Sequence, residues 1–294
     1  MKNKIISAKA NAKVNLALHV IGQRSDGLHL LDSIVAFPEY GDELFFEEAD
    51  ELSLSISGPY GNQLSKETTD ASNLIIRAVK LLRDKNNGVA IKLIKNLPIA
   101  AGIGGGSSNA AITLKTLSML WKEKMPKLTD ILDLGADLPV CLSNELQRIQ
   151  GIGEIRTELT KPSPMWIVLA NPGIKIPTAK IFGLLRSKEN GKLEPLLDTT
   201  DQDSFFRYLN RQRNDLEIVT CDLFPEVRKL LHTINDTSNC KLSRMSGSGA
   251  TCFGLYTEKN HALQAKEMIE NCFSKAWVVS ASLFLANPSH DIVC

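Results

Sequence analysis

The sequence predicts an α+β fold in two parts. Five β-type runs crowd the first hundred residues, two helical periods follow or interrupt them, and a polar, proline-containing stretch then precedes a second set of mixed elements. At 294 residues the chain is long for one domain and comfortable for two, with enough material to bury a core without disulfide staples.

Taken in order, Lys13–Val20, Ser33–Phe37, Glu43–Glu47, Leu52–Ser57 and Val89–Ile94 read as strands, divided by turn signals at Ser25-Asp26-Gly27 and Gly58-Pro59-Tyr60-Gly61. They are expected to form a mostly antiparallel sheet. Helical periodicity predicts Asn73–Arg83, with Leu74, Ala78, Leu81 and Leu82 on one face, and Asn109–Trp121, with Ala110, Ala111, Leu114 and Leu117 on another. The stretch Thr157–Pro164 is the predicted boundary, dividing residues 1–160 from 161–294. Beyond it comes the apolar run Trp166–Ala170, and helices at Ala179–Leu185, Ser204–Leu209, Glu226–Ile234 and His261–Cys272 interleave with strands near Cys240–Met245, Thr251–Tyr256 and Trp277–Ser282. The loop around Ser187–Asp203 is expected to be flexible.

Charge narrows the function. The 34 Lys and Arg against 33 Asp and Glu leave a net charge of +1, which argues against a protein that grips nucleic acid through a global basic field. It leaves room for a local anion site built from backbone N–H groups. The six cysteines make no C-x-x-C pair and no Cys/His cluster of metal-ligand spacing, so reduced thiols are expected. No apolar leader and no run of 18 apolar residues appear, and a cytoplasmic protein without a membrane partner is expected.

The most informative segment follows a strand and opens a helix: Pro98, Ile99, Ala100, Ala101, Gly102, Ile103, Gly104, Gly105, Gly106, Ser107 and Ser108. Glycine costs about 0.5–1 kcal/mol relative to alanine inside regular structure, so four in five positions call for unusual backbone angles or close approach to a guest. Phosphate suits a helix N-terminus, where N–H groups are unpaired and the dipole is positive. A flexible loop with an ordinary N-cap, such as a serine hydroxyl, fits the same residues. The segment is neither G-x-x-x-x-G-K-[ST] nor G-x-G-x-x-G, because Ser107 stands where the last glycine would be.

This loop resembles the phosphate loop of the GHMP kinases, with Ile103 in place of a leucine. Further segments resemble one branch of them, the 4-diphosphocytidyl-2-C-methyl-D-erythritol kinases. In family order these are Lys13-Val14-Asn15, Asp26-Gly27-Leu28-His29, Tyr40-Gly41-Asp42, Gly104–Ala111, Gly135-Ala136-Asp137-Leu138-Pro139, Asn171-Pro172-Gly173 with Pro177-Thr178, Asn214-Asp215-Leu216-Glu217, and Met245–Ala250. The resemblance runs from residue 8 to 253. It implies a two-domain GHMP kinase fold: a ribosomal protein S5 domain 2-like, ATP-binding domain (1–160) and a ferredoxin-like, substrate-binding domain (161–294). It also implies transfer of the ATP γ-phosphoryl group to the 2-hydroxyl of a CDP-linked methylerythritol in the non-mevalonate route to isoprenoids.

By the same resemblance, Asp137 accepts the hydroxyl proton and Lys13 pairs with it and with the transferred phosphoryl oxygens. Taken alone, Asp137 reads first as a turn or helix-cap aspartate, ahead of a catalytic one, and Lys13 by default as a solvent-facing strand lysine. Asn15, Leu28, His29, Ile152, Thr178 and Phe182 are implied at the substrate, with His29 at the cytosine edge and Phe182 stacking on the base. Asn73, Leu74 and Lys95 are implied beside the nucleoside of ATP. Leu28 departs from the family's usual tyrosine and removes one aromatic face. Magnesium is expected with ATP, with no metal ligands assigned, and the enzyme is expected to act as a monomer or homodimer on small molecules. Two rival readings are another GHMP kinase acting on a small alcohol, and a catalytically silent nucleotide sensor.

Overall fold

The computed structural model describes residues 5–64, 72–82, 87–195, 200–285 and 292–293. In chain order the first part comprises β1 (Ile6–Asn11), β2 (Val14–Gln23), β3 (His29–Ala36), β4 (Gly41–Ala49), β5 (Ser53–Ser57), α1 (Gly61–Leu64), α2 (Leu74–Leu82), β6 (Gly88–Ile94), α3 (Gly105–Leu120), α4 (Leu128–Leu134), α5 (Leu138–Cys141), β7 (Gln147–Gly151) and β8 (Ile155–Glu158). The remainder comprises β9 (Met165–Asn171), α6 (Thr178–Gly183), α7 (Gln202–Arg211), α8 (Glu217–Leu223), α9 (Pro225–Asn235), β10 (Leu242–Met245), β11 (Cys252–Tyr256), α10 (Lys259–Cys272), β12 (Trp277–Leu283) and β13 (Ile292–Val293).

The early strands divide between two sheets, not the one expected. Strands β13-β1-β4-β6-β5 form the first, and β2-β3-β7-β8 the second. The β2–β3 hairpin leaves the first sheet because its other neighbour is β7, paired in register from Leu31↔Gly151 to Val35↔Gln147. Pairing is antiparallel except for β5 against β6, whose parallel register needs the crossover that α1 and α2 occupy. Strand β1 carries a weak period-two signal that sequence reading passed over; its alternate residues Ile6, Ala8 and Ala10 enter the core.

Helices α2 and α3 pack on the first sheet. In α2 the buried face is Ile75, Ile76, Ala78, Val79 and Leu82, rotated from the predicted face; Leu74 and Leu81 are only half-buried. The rotation releases Leu74 toward the cavity described below. Arg83, the last residue of that predicted helix, lies outside the described residues. Helix α3 buries Ala110, Ala111, Leu114 and Leu117 as its period predicts, but begins four residues early, at Gly105.

A third sheet, β10-β11-β9-β12, carries α9 and α10 on one face. Its other face meets β2, β3 and α7 through Val14, Leu16, Ile34, Ile167, Leu169, Phe205 and Phe253. The predicted division near residue 160 falls between β8 and β9. The expected flexible loop is instead pinned over residues 187–194. Asn190 N–H donates to Val20 O at 3.0 Å, Leu193 N–H to Asp32 Oδ2 at 3.1 Å, and Leu193 is buried. The sequence Ser187–Glu194 looks polar, yet its polar groups are spent on the β2–β3 hairpin and on Arg211, Gln212, Arg213 and Asp215; residues 196–199 of that loop lie outside the described residues.

Candidate active site

The loop between β6 and α3 owes its shape to left-handed backbone at alternate positions, with φ of 53° at Ala100, 73° at Gly102 and 63° at Gly104. Alternation of this kind turns successive N–H groups to one side, an anion-binding concavity. Gly104 is the N-cap of α3 and no side chain caps it, so the serine hydroxyls are not the cap and the first amides of α3 have no capping side chain as partner. Gly105 and Gly106 are helical; a Cβ on Gly106 would find only Leu74 Cδ1 within 4 Å, which leaves a bare face for a ligand.

A turn from the third sheet clamps the loop. Ser246 Oγ donates to Gly102 O at 3.0 Å and itself accepts from Asn15 N–H at 3.1 Å, while Thr251 N–H donates to Ala101 O at 3.2 Å. The Asn214 amide holds that turn by donating to Met245 O and Gly247 O, both at 2.8 Å. Ser248 and Thr178 share a hydroxyl hydrogen bond at 2.9 Å. Two segments some 145 residues apart thus form one wall, and their glycines are needed because a Cβ on Gly102 would stand 2.6 Å from Ser246 O.

Lys13, entering β2, donates its N–H to Ile103 O at 2.9 Å and pairs through Nζ with Asp137 Oδ1 at 2.7 Å. The partners are unlike: the Lys13 side chain is 7% exposed, whereas that of Asp137 is 45% exposed. Asp137 occupies the N-cap position of α5 but makes no side-chain capping bond, so its carboxylate is held by Lys13 and remains open. Cys141, one turn on, is buried and touches Ser108 Oγ at 3.4 Å; burial first, then the Asp137 charge, push its thiol up to about 12.

These groups line one cavity of about 470 Å³. Lys13, Asn15, Asn73, Leu74, Lys95, residues 98–107, Asp137, Thr178 and Phe182 all border it. Ser108 does not; its hydroxyl points down at Cys141. His29 stands outside that lining but in contact with it, since its ring lies against Phe182 at 4.8 Å between centroids. Its Nε2 is buried without a partner, and burial, aided by the Lys188 charge, lowers its pKa so that the neutral ring prevails. Leu28 is 49% exposed on the turn before His29, and Ile152 sits in the β7–β8 turn with its N–H on Glu154 Oε2 at 2.6 Å; neither borders the cavity. Sequence reasoning passed over Asn109 and Leu216, which do border it, and Asp42, which lies beneath, although all three stand inside the quoted motifs; the turn Ser246–Gly249, which resembles the third GHMP motif and is implied to pack on the phosphate loop, borders the cavity through Gly247 and Ser248.

Known proteins match this architecture at both ends. Residues 73–145 match the family described as GHMP kinases N terminal domain, and residues 193–275 match GHMP kinases C terminal. A 4-diphosphocytidyl-2-C-methyl-D-erythritol kinase of Cereibacter sphaeroides (strain ATCC 17025 / ATH 2.4.3) is 43% identical over 278 residues, 94% of this chain and 98% of that protein. This chain belongs to the 4-diphosphocytidyl-2-C-methyl-D-erythritol kinase family of GHMP kinases. Another member of the family, from Paramagnetospirillum magneticum (strain ATCC 700264 / AMB-1), is 41% identical over 94% of this chain and 98% of its own. A crystal structure of a 4-(cytidine 5'-diphospho)-2C-methyl-D-erythritol kinase superposes with a TM-score of 0.76 at 31% identity, covering 95% of this chain and 100% of that one. Homoserine kinase from Cytophaga hutchinsonii shares the fold at a TM-score of 0.66 and 16% identity, covering 97% and 95% of the two chains.

Proposed function

We propose that this family member transfers the γ-phosphoryl group of ATP to the 2-hydroxyl of 4-diphosphocytidyl-2-C-methyl-D-erythritol, giving the 2-phosphate and ADP, a step of the non-mevalonate route to isopentenyl diphosphate. The observation that carries the reading is the Lys13–Asp137 pair, 2.7 Å apart, bordering the same cavity as the glycine loop and Phe182.

The triphosphate lies on the amides of residues 102–107, at the positive end of α3. Asn73 and Leu74 flank the nucleoside; Lys95, implied there too, borders the same side with its ammonium turned to Asp42. On the acceptor side His29 meets the cytosine edge, Phe182 covers the base, and Asn15 and Thr178 supply polar contacts; Leu28 and Ile152 flank the acceptor end of the site. The acceptor oxygen attacks the γ-phosphorus, the bond from phosphorus to the β–γ bridging oxygen breaks, and ADP departs. Because the transition state is loose, the hydroxyl keeps its proton until late, and Asp137 receives it. Lys13 holds that carboxylate in place, and its charge meets the transferring phosphoryl group.

Among the described residues no cluster of three or more His, Cys, Asp or Glu could form a dedicated metal cage. The Ser107 hydroxyl, at the head of α3 and bordering the cavity, nevertheless suits a hard cation that arrives with ATP and keeps several waters. Magnesium bound there would neutralise phosphate charge. No helix among the described residues is long and apolar enough to cross a membrane. We read the chain as a cytoplasmic enzyme, monomer or homodimer, acting on small molecules without nucleic-acid or membrane partners; the net charge of +1 speaks against a global basic field for nucleic acid. Residues 1–160 supply the ATP loop and 161–294 close the cleft.

A coupled assay for ADP release tests the reading. Release that requires the cytidyl substrate is expected; ATP turnover indifferent to that substrate, or none at all, would overturn it.

A further inference from the structure

We propose that Asp42 is a positioning residue for the nucleotide loop and that Lys95 serves as its counter-ion, not as a free cation for phosphate. The inference rests on reading the cavity as the ATP site. Asp42 lies on β4, the strand between β1 and β6, and its side chain is fully buried. Oδ1 accepts from the N–H groups of Asn96 and Leu97, each at 2.8 Å, the two residues that lead into the loop. Oδ2 accepts from Asn109 Nδ2 at 2.9 Å, on the second turn of α3, and from Lys95 Nζ. One carboxylate therefore ties the entry and the exit of the loop to the same strand.

Two further features show how firmly the tie is made. The Asn109 amide turns its nitrogen to Asp42 although this leaves Oδ1 buried without a partner; the opposite orientation would set oxygen against carboxylate. The Lys95 side chain is 4% exposed and runs beneath the helix start, with Nζ 3.1 Å from where a Cβ on Gly105 would stand. A buried carboxylate under a polyphosphate site would repel the ligand, and a buried ammonium drawn off toward phosphate would strand Asp42 as an unpaired charge. Paired, the two are neutral and leave the field to the loop amides.

The test measures kcat and KM for each substrate, with thermal melts, on the wild type, Asp42→Asn, Lys95→Met, the double variant and Asn109→Ala. Each single variant is expected to raise the KM for ATP about tenfold while that for the cytidyl substrate stays within about twofold. The double variant is expected to return to within about threefold of the wild-type KM for ATP, because no buried charge is left unpaired and the introduced amide can donate to Asn109 Oδ1 once that side chain flips. A double variant as impaired as Lys95→Met would make Lys95 a direct nucleotide ligand and overturn the proposal. So would an unchanged KM for ATP in Asn109→Ala. Should Asp42→Asn or Lys95→Met fail to fold, the double variant and Asn109→Ala decide by the same outcomes. A wild type without ATP turnover would instead remove the reading of the site, and this inference with it.

Discussion

His29 and Phe182 hold their rings 4.8 Å apart, tilted by 34°, the first on the β2–β3 hairpin and the second on α6. In direct contact they leave no slot for a base between them, so a base covered by Phe182 meets His29 by its edge. Stacking contributes about 0.5–1.5 kcal/mol beyond area, so Phe182→Leu should raise the KM for the cytidyl substrate about two- to tenfold. The KM for ATP should not move. Equal effects on both substrates would show that Phe182 serves packing instead.

Asp137→Asn preserves shape and removes the proton acceptor. Turnover should fall about 10²–10⁴-fold with the KM for ATP little changed. Undiminished turnover would exclude Asp137 as the base. The variant leaves the Lys13 ammonium, 7% exposed, without its partner, so the melting temperature should fall, and a melt that still lies well above the assay temperature separates this loss from unfolding.

Gly102 has φ of 73°, and a Cβ there would meet Ser246 O at 2.6 Å and Gly249 O at 2.7 Å. Gly102→Ala should cost about 1–3 kcal/mol and raise the KM for ATP, because the loop must leave its clamp. Gly173 is the control: its φ is 82°, but nothing lies within 4 Å of a Cβ, so Gly173→Ala should show the strain alone. Equal losses in denaturant melts would contradict the clamp.

His19 is buried, its Nδ1–H donating to Gly191 O at 2.8 Å while Nε2 accepts the N–H of Arg213 at 3.2 Å. Burial above all, joined by the Arg213 charge, lowers its pKa below the ordinary 6.5, against the Gly191 carbonyl and the opposing pull of Asp215 and Asp32. The unfolded chain therefore takes up the proton first. Stability from this residue is complete above 6.5 and drains away as pH falls toward the depressed folded value. Urea midpoints measured down to about pH 5 should decline below 6.5 in the wild type and decline less in His19→Gln. Parallel curves would refute the assignment.

Leu28 tests the departure from the family's tyrosine. Placed on the exposed turn beside His29, Leu28→Tyr adds an aromatic face, and a severalfold lower KM for the cytidyl substrate is expected. An unchanged value would put this turn beyond the reach of the substrate.

Local patterns carried much of this. Period two and period 3.6 mark most strands and helices, since alternation reports which face is buried whatever it is buried against. The unusual backbone of the glycine loop was legible because four glycines in five positions are costly inside regular structure, although the same residues also fitted an ordinary N-capped loop. The split of the early strands between two sheets was not legible: a strand's residues show which of its faces is buried but not which strand lies beside it, and the second neighbour of β3 is β7, more than a hundred residues downstream. The pinning of residues 187–194 was hidden for the same reason, because polar residues that bond to a distant hairpin look like a solvated loop.

The sequence by itself determined the α+β class, the unusual backbone of the glycine loop and, through an ordered set of motifs, the family. Only the tertiary structure decided that Lys13 is buried while Asp137 stays open, that Ser246 and Asn214 clamp the loop, and that Asp42 ties its two ends. The physical reason is range. Backbone angles and amphipathic faces are settled within a few residues, whereas burial of a charge and the partner of a hydrogen bond are settled by segments that meet only after the chain has closed on itself.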